Sequence, residues 1–224
     1  DEADAVADKL VSLSLDALTP AELLAVLARR EVLARRQPAI EHRLLNRLAA
    51  EAVPAELGAT TIAKALAHRL RIGPGEARRR LDEAADLGPG STLTGAPLPP
   101  KLPCAAAAQE RGLIGGDHVR TIRWFFAHLP DHVDLGTRID AERELAGLAA
   151  QFGPEYFRKA AERMMAVIDQ DGQFTEADRQ RRRGLTIGRQ GVDGMTPVSG
   201  NLTPEARAVW DAIMAKLAAP GMCN

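Results

Sequence analysis

The chain contains 224 residues, enough for one large domain or two small ones, because domains typically contain about 100 to 150 residues. With 46% hydrophobic and 26% charged residues it has a globular composition, which argues against a disordered tail or a fibre. Its formal net charge of −1 excludes an overall field that would attract nucleic acid or an anionic membrane. Any such partner must therefore bind a local patch.

The cysteine content and the N-terminal sequence indicate a cytoplasmic protein. Cys104 and Cys223 can form at most one disulfide and cannot form a cysteine-only zinc site. Asp1, Glu2 and Asp4 stand where a signal peptide would carry positive charge, and no apolar run reaches the roughly 18 residues that a membrane span needs. We therefore expect no membrane partner, no metal and no other cofactor. We also expect both ends of the chain to be cut from a longer protein.

Helix-forming residues dominate the chain and predict a mostly α fold. The segment Thr19-Pro20-Ala21-Glu22 combines an N-cap, a proline at the first helical position and an acid in the first turn. A long helix is predicted to begin there and to extend to about Val53, with a kink or break at Pro38. A shorter helix is predicted over residues 4–13.

Residues 88–103 contain five prolines and three glycines and are predicted to be a linker. This linker would separate an N-terminal helical subdomain, residues 1–87, from a C-terminal helical subdomain, residues 104–224. Further helices are predicted over residues 101–113, 117–129, 137–152 and 154–168. A glycine-rich turn between Gly191 and Gly194 predicts a short β-hairpin over residues 184–200, followed by a final helix.

Two helices of similar length, Thr60 to Ile72 and Pro74 to Leu87, meet at Gly73 and resemble a helix-turn-helix. Gly73 is predicted to cap the first of them at its C-terminus. The small core of the pair is predicted to contain Ile62, Leu66, Leu70, Ile72 and Leu81. The predicted fold is thus a multi-helix bundle with a helix-turn-helix-like pair and one small β-hairpin near the C-terminus.

This helix pair is strongly basic although the chain is almost neutral. Between residues 64 and 80, Glu76 is the only acidic residue. The basic residues of the same stretch are Lys64, Arg69, Arg71, Arg78, Arg79 and Arg80. They predict a nucleic-acid-binding site with phosphate contacts, in which the second helix enters a groove. The alternative is a helical hairpin whose arginines form a solvated face.

Two other polar clusters are interpreted without a ligand. A second basic run, Arg179 to Arg183, follows a cap-like segment, and a basic helix end stabilises its own helix. A supplementary contact to nucleic acid or to a downstream domain is the alternative for that run. His128 and His132 have a spacing that could bind a metal, but Pro130 interrupts the helix between them.

Several segments resemble a known family. They are Leu66 to Ile72, Gly75 to Leu81, Arg111 to Ile114 followed by Asp117-His118, and Asp193 to Glu205. These segments resemble the actinobacterial 13E12 repeat proteins, whose shared helical region is known as domain of unknown function 222. The resemblance implies that a C-terminal HNH endonuclease domain usually follows, in which His and Asn side chains activate water and position a metal. No His follows His132, so the nuclease itself is expected to be absent here.

The sequence therefore predicts the non-catalytic helical region of an HNH-endonuclease-like protein. This region would assist DNA binding, and its partners would be DNA and the downstream HNH domain. The alternative is an interaction module that dimerises through the long helix between Thr19 and Val53 and binds no nucleic acid. An independent enzyme is disfavoured, because no convergent acid, base and nucleophile can be named.

Overall fold

The computed structural model describes residues 2–92, 95–169, 180 and 183–217. The chain forms two compact units, Asp1–Ile168 and Asp169–Asn224. Most of the described residues are helical, which confirms the predicted fold class.

The described part of the first unit contains eight helices. They are α1 (Glu2–Ser12), α2 (Pro20–Glu51), α3 (Ile62–Leu70), α4 (Pro74–Leu87), α5 (Pro103–Glu110), α6 (Gly116–His128), α7 (Leu135–Gln151) and α8 (Pro154–Ile168). Two short antiparallel strands, β1 (Gly90–Ser91) and β2 (Pro97–Leu98), lie between α4 and α5. The bounds of α4 and α8 are those predicted.

Helix α2 begins where its cap sequence predicts. The hydroxyl of Thr19 accepts a hydrogen bond from the backbone N of Glu22 (3.4 Å), and the Glu22 carboxylate accepts one from the backbone N of Thr19 (2.8 Å). This capping box satisfies two N–H groups that the first turn leaves unpaired. The helix continues through Pro38, so of the two predicted alternatives, a kink or a break, the break does not occur. The second half of α2 packs against other helices of the first unit and buries His42 and Leu45. This burial offsets the backbone hydrogen bond that the proline cannot donate.

A first core forms where α3 and α4 pack against the second half of α2. Its buried residues are Leu45, Leu66, Ala77 and Ala84. Ile62, Ile72 and Leu81 pack against this core as predicted. Leu70 is 47% exposed, so its prediction as a core residue is wrong. The chain leaves α3 directly after Leu70, and Ile72 packs against the core at this end instead.

A second, larger core forms among α5, α6, α7 and α8. Its fully buried large side chains include Ile122, Phe125, Leu145 and Phe157. Leu87 and Leu102, on either side of the predicted linker, belong to the same cluster. The segment 88–103 therefore connects helices that pack together, and it contains the β1–β2 hairpin, which the sequence analysis did not predict. Along the sequence, the first compact unit continues past this segment and ends at Ile168.

Helix α5 is shorter than the predicted span 101–113 because its two ends are set by distant residues. The buried Glu142 accepts hydrogen bonds at Oε1 from the backbone N of Cys104 (2.7 Å) and of Ala105 (2.9 Å). A carboxylate of α7 thus caps the first turn of α5. Beyond α5, Gly112 has a φ of 75°, and a Cβ there would lie 2.6 Å from the carbonyl O of Val32 in α2. Only glycine fits this approach without displacing α2.

The second unit contains β3 (Gly184–Ile187), β4 (Val198–Asn201) and α9 (Pro204–Leu217). The strands pair antiparallel, with Gly184 opposite Asn201 and Ile187 opposite Val198. This pairing confirms the predicted hairpin. The turn lies in the predicted glycine-rich segment, where the backbone N of Gly191 donates to the carbonyl O of Met195 (2.8 Å).

We expect Glu142→Ala to lower the free energy of unfolding by about 2–4 kcal/mol, because the first turn of α5 loses two charge-assisted hydrogen bonds. Glu142→Gln keeps an acceptor oxygen and should cost only about 1 kcal/mol. Urea denaturation measures both. The control is Glu144→Ala on the exposed side of the same helix, which should change stability by less than about 0.5 kcal/mol. Equal losses for Glu142→Ala and Glu144→Ala would show that Glu142 does not cap α5.

Candidate nucleic-acid interface

A tight turn joins α3 to α4 and presents one arginine in an unusual backbone conformation. Arg71 follows α3 in the left-handed region (φ 56°, ψ 42°), and the backbone N of Ile72 donates to the carbonyl O of Ala67 (3.1 Å). This bonding is typical of a Schellman ending, which lets the residue after the left-handed position pack back against the helix. Gly73 has a φ of −65° and is the N-cap of α4. The prediction that Gly73 caps α3 is therefore wrong, because Ile72 packs against the core and the left-handed position comes earlier.

Two of the six predicted phosphate-binding residues are held in ion pairs. Arg79 donates through Nη1 to Glu83 (2.6 Å) and through Nη2 to Glu76 (2.7 Å). Arg80 donates through Nε to Glu76 (2.8 Å) and through Nη1 to Glu41 of α2 (2.8 Å). We call these five residues the α2–α4 ion-pair network. Glu41 and Glu83 lie outside the stretch 64–80, so the sequence analysis overestimated the free positive charge of the helix pair.

The network keeps its carboxylates ionised. Hydrogen bonds from Arg79 and Arg80 lower the pKa of Glu76 from 4.5 to about 2. Burial acts to raise the pKa of Glu83, but the neighbouring His42 and the charge of Arg79 outweigh it, so this pKa is also lowered. Both carboxylates therefore remain negative at neutral pH and neutralise the arginines that they bind.

Two further residues of α2 attach α4 to it. Nε2 of the buried His42 lies 3.7 Å from Oε1 of Glu83. Nδ2 of Asn46 donates to the carbonyl O of Ala84 (2.8 Å) and to that of Pro89 (3.0 Å), and so pairs carbonyls at the C-terminal end of α4. The sequence analysis missed His42, Asn46 and Glu41 because the only local signal was their helical spacing on α2.

The other four predicted residues remain available for a ligand. Lys64, Arg69, Arg71 and Arg78 are exposed. Within the described residues, their side chains form no hydrogen bond or ion pair. Arg69 and Arg71 lie at the turn, Arg78 lies in the first half of α4, and Lys64 lies in the first turn of α3, at the other end of that helix. The structure therefore leaves four uncompensated cations on the helix pair, two of them at its turn.

The remaining candidates give no second site in the described part of the chain. No group of three or more His, Cys, Asp or Glu side chains there could hold a metal ion. Nδ1 of His128 lies 2.8 Å from the carbonyl O of Trp124 in its own helix. In the second basic run, Arg179, Arg181 and Arg182 lie outside the described residues. No helix in the described ranges is both long and apolar enough to cross a membrane.

Comparison with known proteins identifies relatives over the whole chain. Residues 24–224 match the family described as Domain of unknown function (DUF222). An uncharacterized protein of Mycobacterium tuberculosis is 50% identical over 224 residues, which are 100% of this chain and 49% of the relative. An uncharacterized protein of Mycobacterium bovis is 50% identical over 216 residues, which are 96% of this chain and 47% of the relative. The chain thus spans about half the length of the curated relatives it matches. No solved structure matches it.

The lowered pKa values of Glu76 and Glu83 predict a loss of stability in acid. Both groups bind protons less readily in the folded state than in the unfolded state, where the value is near 4.5. Their contribution to stability is present above that value and is lost as the pH falls toward the folded pKa, which is about 2 for Glu76. We expect the melting temperature to fall from about pH 5 to about pH 2, and to fall less in the double variant E76Q/E83Q.

The double variant should also be less stable than the parent at pH 7, because Arg79 and Arg80 lose their partners. The control is E155Q/E162Q on exposed positions of α8, which should keep the parental slope of melting temperature against pH. Parallel curves for the parent and E76Q/E83Q would refute the role of the network in acid stability.

Proposed function

Because the chain belongs to the DUF222 family, we propose that it is a non-catalytic helical region that contacts DNA through the turn between α3 and α4. The observation that carries this proposal is the set of four exposed cations on the helix pair that this turn joins, Lys64, Arg69, Arg71 and Arg78. None has an ion-pair partner within the described residues. Exposed guanidinium and ammonium groups without carboxylate partners are suited to phosphate oxygens.

The backbone at Arg71 supports the same proposal. A left-handed conformation costs a non-glycine residue roughly 1–2 kcal/mol, and glycine would avoid that cost. Arginine at this position keeps a positive charge at the turn in exchange for the strain. Local strain of this kind is frequent at binding sites.

We propose that catalysis resides elsewhere in a longer protein. The segments quoted from this chain resemble proteins that usually continue into an HNH endonuclease domain, and the curated relatives are about twice as long as the chain. In this arrangement the helical region holds DNA for a downstream HNH domain, which is its partner in the same polypeptide. We propose the cytoplasm as its location, because two cysteines are too few for the disulfide framework of a small secreted domain.

A second candidate function, dimerisation through α2, is supported by exposed apolar residues. Leu24 is 68% exposed and Leu27 is 59% exposed, and together with Ala28 and Ala34 they line one shallow pocket. Light scattering distinguishes the candidates when it is combined with a DNA titration. A dimer that binds no DNA at about 20 mM salt would favour the second candidate, and a monomer that binds DNA would favour the first.

We predict that the isolated region binds duplex DNA with little sequence preference and with a steep dependence on salt. If the four cations reach phosphates, they contribute about −3.6 to the slope of log affinity against log salt concentration, from roughly 0.9 per phosphate. The triple variant K64Q/R69Q/R78Q should reduce that slope by about 2.7 and weaken binding at 50 mM salt by at least tenfold. Fluorescence anisotropy with a labelled duplex measures both quantities.

The matched control removes three positive charges from other helices, R120Q/R143Q/R158Q. Each of these arginines is exposed and paired within its own helix, to Asp117, Asp140 and Glu162 respectively. The control should keep most of the parental slope. The proposal fails if both triple variants change binding equally, or if the parent binds no duplex at about 20 mM salt.

A further inference from the structure

Helix α2 carries a row of arginines that the proposed interface does not include. Arg29, Arg36 and Arg43 are all exposed, and successive members are seven residues apart. Residues seven apart on an α-helix point within about 20° of one another and lie about 10.5 Å apart along the axis. We call these three residues the arginine row.

The guanidinium groups of the row are open to a ligand. The side chains of Arg29 and Arg43 form no ion pair or hydrogen bond within the described part of the chain. Nε of Arg36 donates to the carbonyl O of Glu110 (3.0 Å), which leaves its two Nη groups for another acceptor.

The neighbouring acids of α2 do not neutralise the row. Glu31 is paired with Arg35 (2.9 Å), and Glu51 is paired with Arg47 (3.0 Å). Glu41 belongs to the α2–α4 ion-pair network. Glu22, seven residues before Arg29, accepts hydrogen bonds from Thr19 at the start of α2. The exposed face of α2 therefore carries an excess of positive charge.

The row also has a fixed relation to the proposed interface. The α2–α4 ion-pair network and Asn46 attach α4 to the half of α2 that contains Arg43. A ligand at the turn between α3 and α4 thus meets a helix that is joined rigidly to the row. Each DNA strand presents a phosphate for every 3.4 Å of duplex axis, so one interval of the row corresponds to roughly three nucleotides.

We infer that the arginine row of α2 is a second phosphate-contacting surface for duplex DNA. The inference rests on the DNA binding proposed above and extends it from the α3–α4 turn to a second element. One arginine guanidinium can donate to two oxygens of a phosphate group at once. Such contacts to the DNA backbone carry no sequence information. The competing occupant is an acidic amphipathic helix, because the exposed side chains of Val26, Leu33 and Ile40 run beside the row.

The test compares two double variants of the chain with equal loss of charge. R29Q/R43Q removes the two free members of the row, and R120Q/R143Q removes two paired arginines from α6 and α7. Anisotropy titrations use a labelled duplex of about 30 base pairs at several salt concentrations. R29Q/R43Q should reduce the log–log salt slope by about 1.8 and weaken binding at 50 mM salt by about tenfold or more. The control should change both values much less.

Far-ultraviolet circular dichroism should give equal helicity for all variants, since glutamine forms helices nearly as well as arginine. If R29Q/R43Q matches the control while K64Q/R69Q/R78Q loses binding, the inference is overturned and the proposed function stands. A parent that binds no duplex overturns both. If R29Q/R43Q keeps its DNA affinity and loses binding to poly-L-glutamate instead, the row serves an acidic protein and the inference is also overturned.

Discussion

The attachment of α4 to α2 by paired carboxylates and guanidinium groups is the constraint on which the charged surface depends. Glu83 is buried, and a buried carboxylate is tolerated only when it is paired and hydrogen-bonded. Its partners Arg79 and His42 therefore cannot leave it without a large cost. The same arrangement draws in Glu76, Arg80 and Glu41, so that the helix pair is fixed against α2 in one orientation. Which cations remain on the surface is decided by this pairing and not by the number of arginines in the sequence.

The network acts on orientation as well as on stability. Arg79 is 46% exposed and Arg80 is 32% exposed, so solvent screens their ion pairs and reduces what each contributes to the free energy of unfolding. Their geometry, however, is specific, because each guanidinium bridges two carboxylates. A helix pair that presents cations to DNA must be held in one orientation. The network holds the pair in that orientation for the proposed interface, while the small core around Leu66 and Ala77 buries its apolar side chains.

The sequence predicted elements whose signals are local. The capping box at Thr19, the proline and glycine that begin α4, and the glycine-rich turn of the β3–β4 hairpin all depend on neighbours a few residues away. The errors concern distant partners. Glu142 caps α5 from 37 or more residues away, and Glu41 binds Arg80 across 39 residues. The left-handed residue that follows α3 is Arg71 and not Gly73, because Ile72 packs against the first core.

The sequence predicted where the candidate site lies but not which of its cations are unpaired. Counting charges along the stretch 64–80 located the helix pair but could not identify which cations were already paired. The sequence analysis overestimated the free charge of the helix pair, and it missed the arginine row altogether. Its members are separated by seven residues, with Glu31 and Glu41 between them, so no compact run of basic residues marks the row in the sequence. On the folded helix those acids bind other arginines and leave the three members of the row exposed. A chain with a net charge of −1 can therefore present two basic surfaces, because the acids that balance them are used in pairs elsewhere.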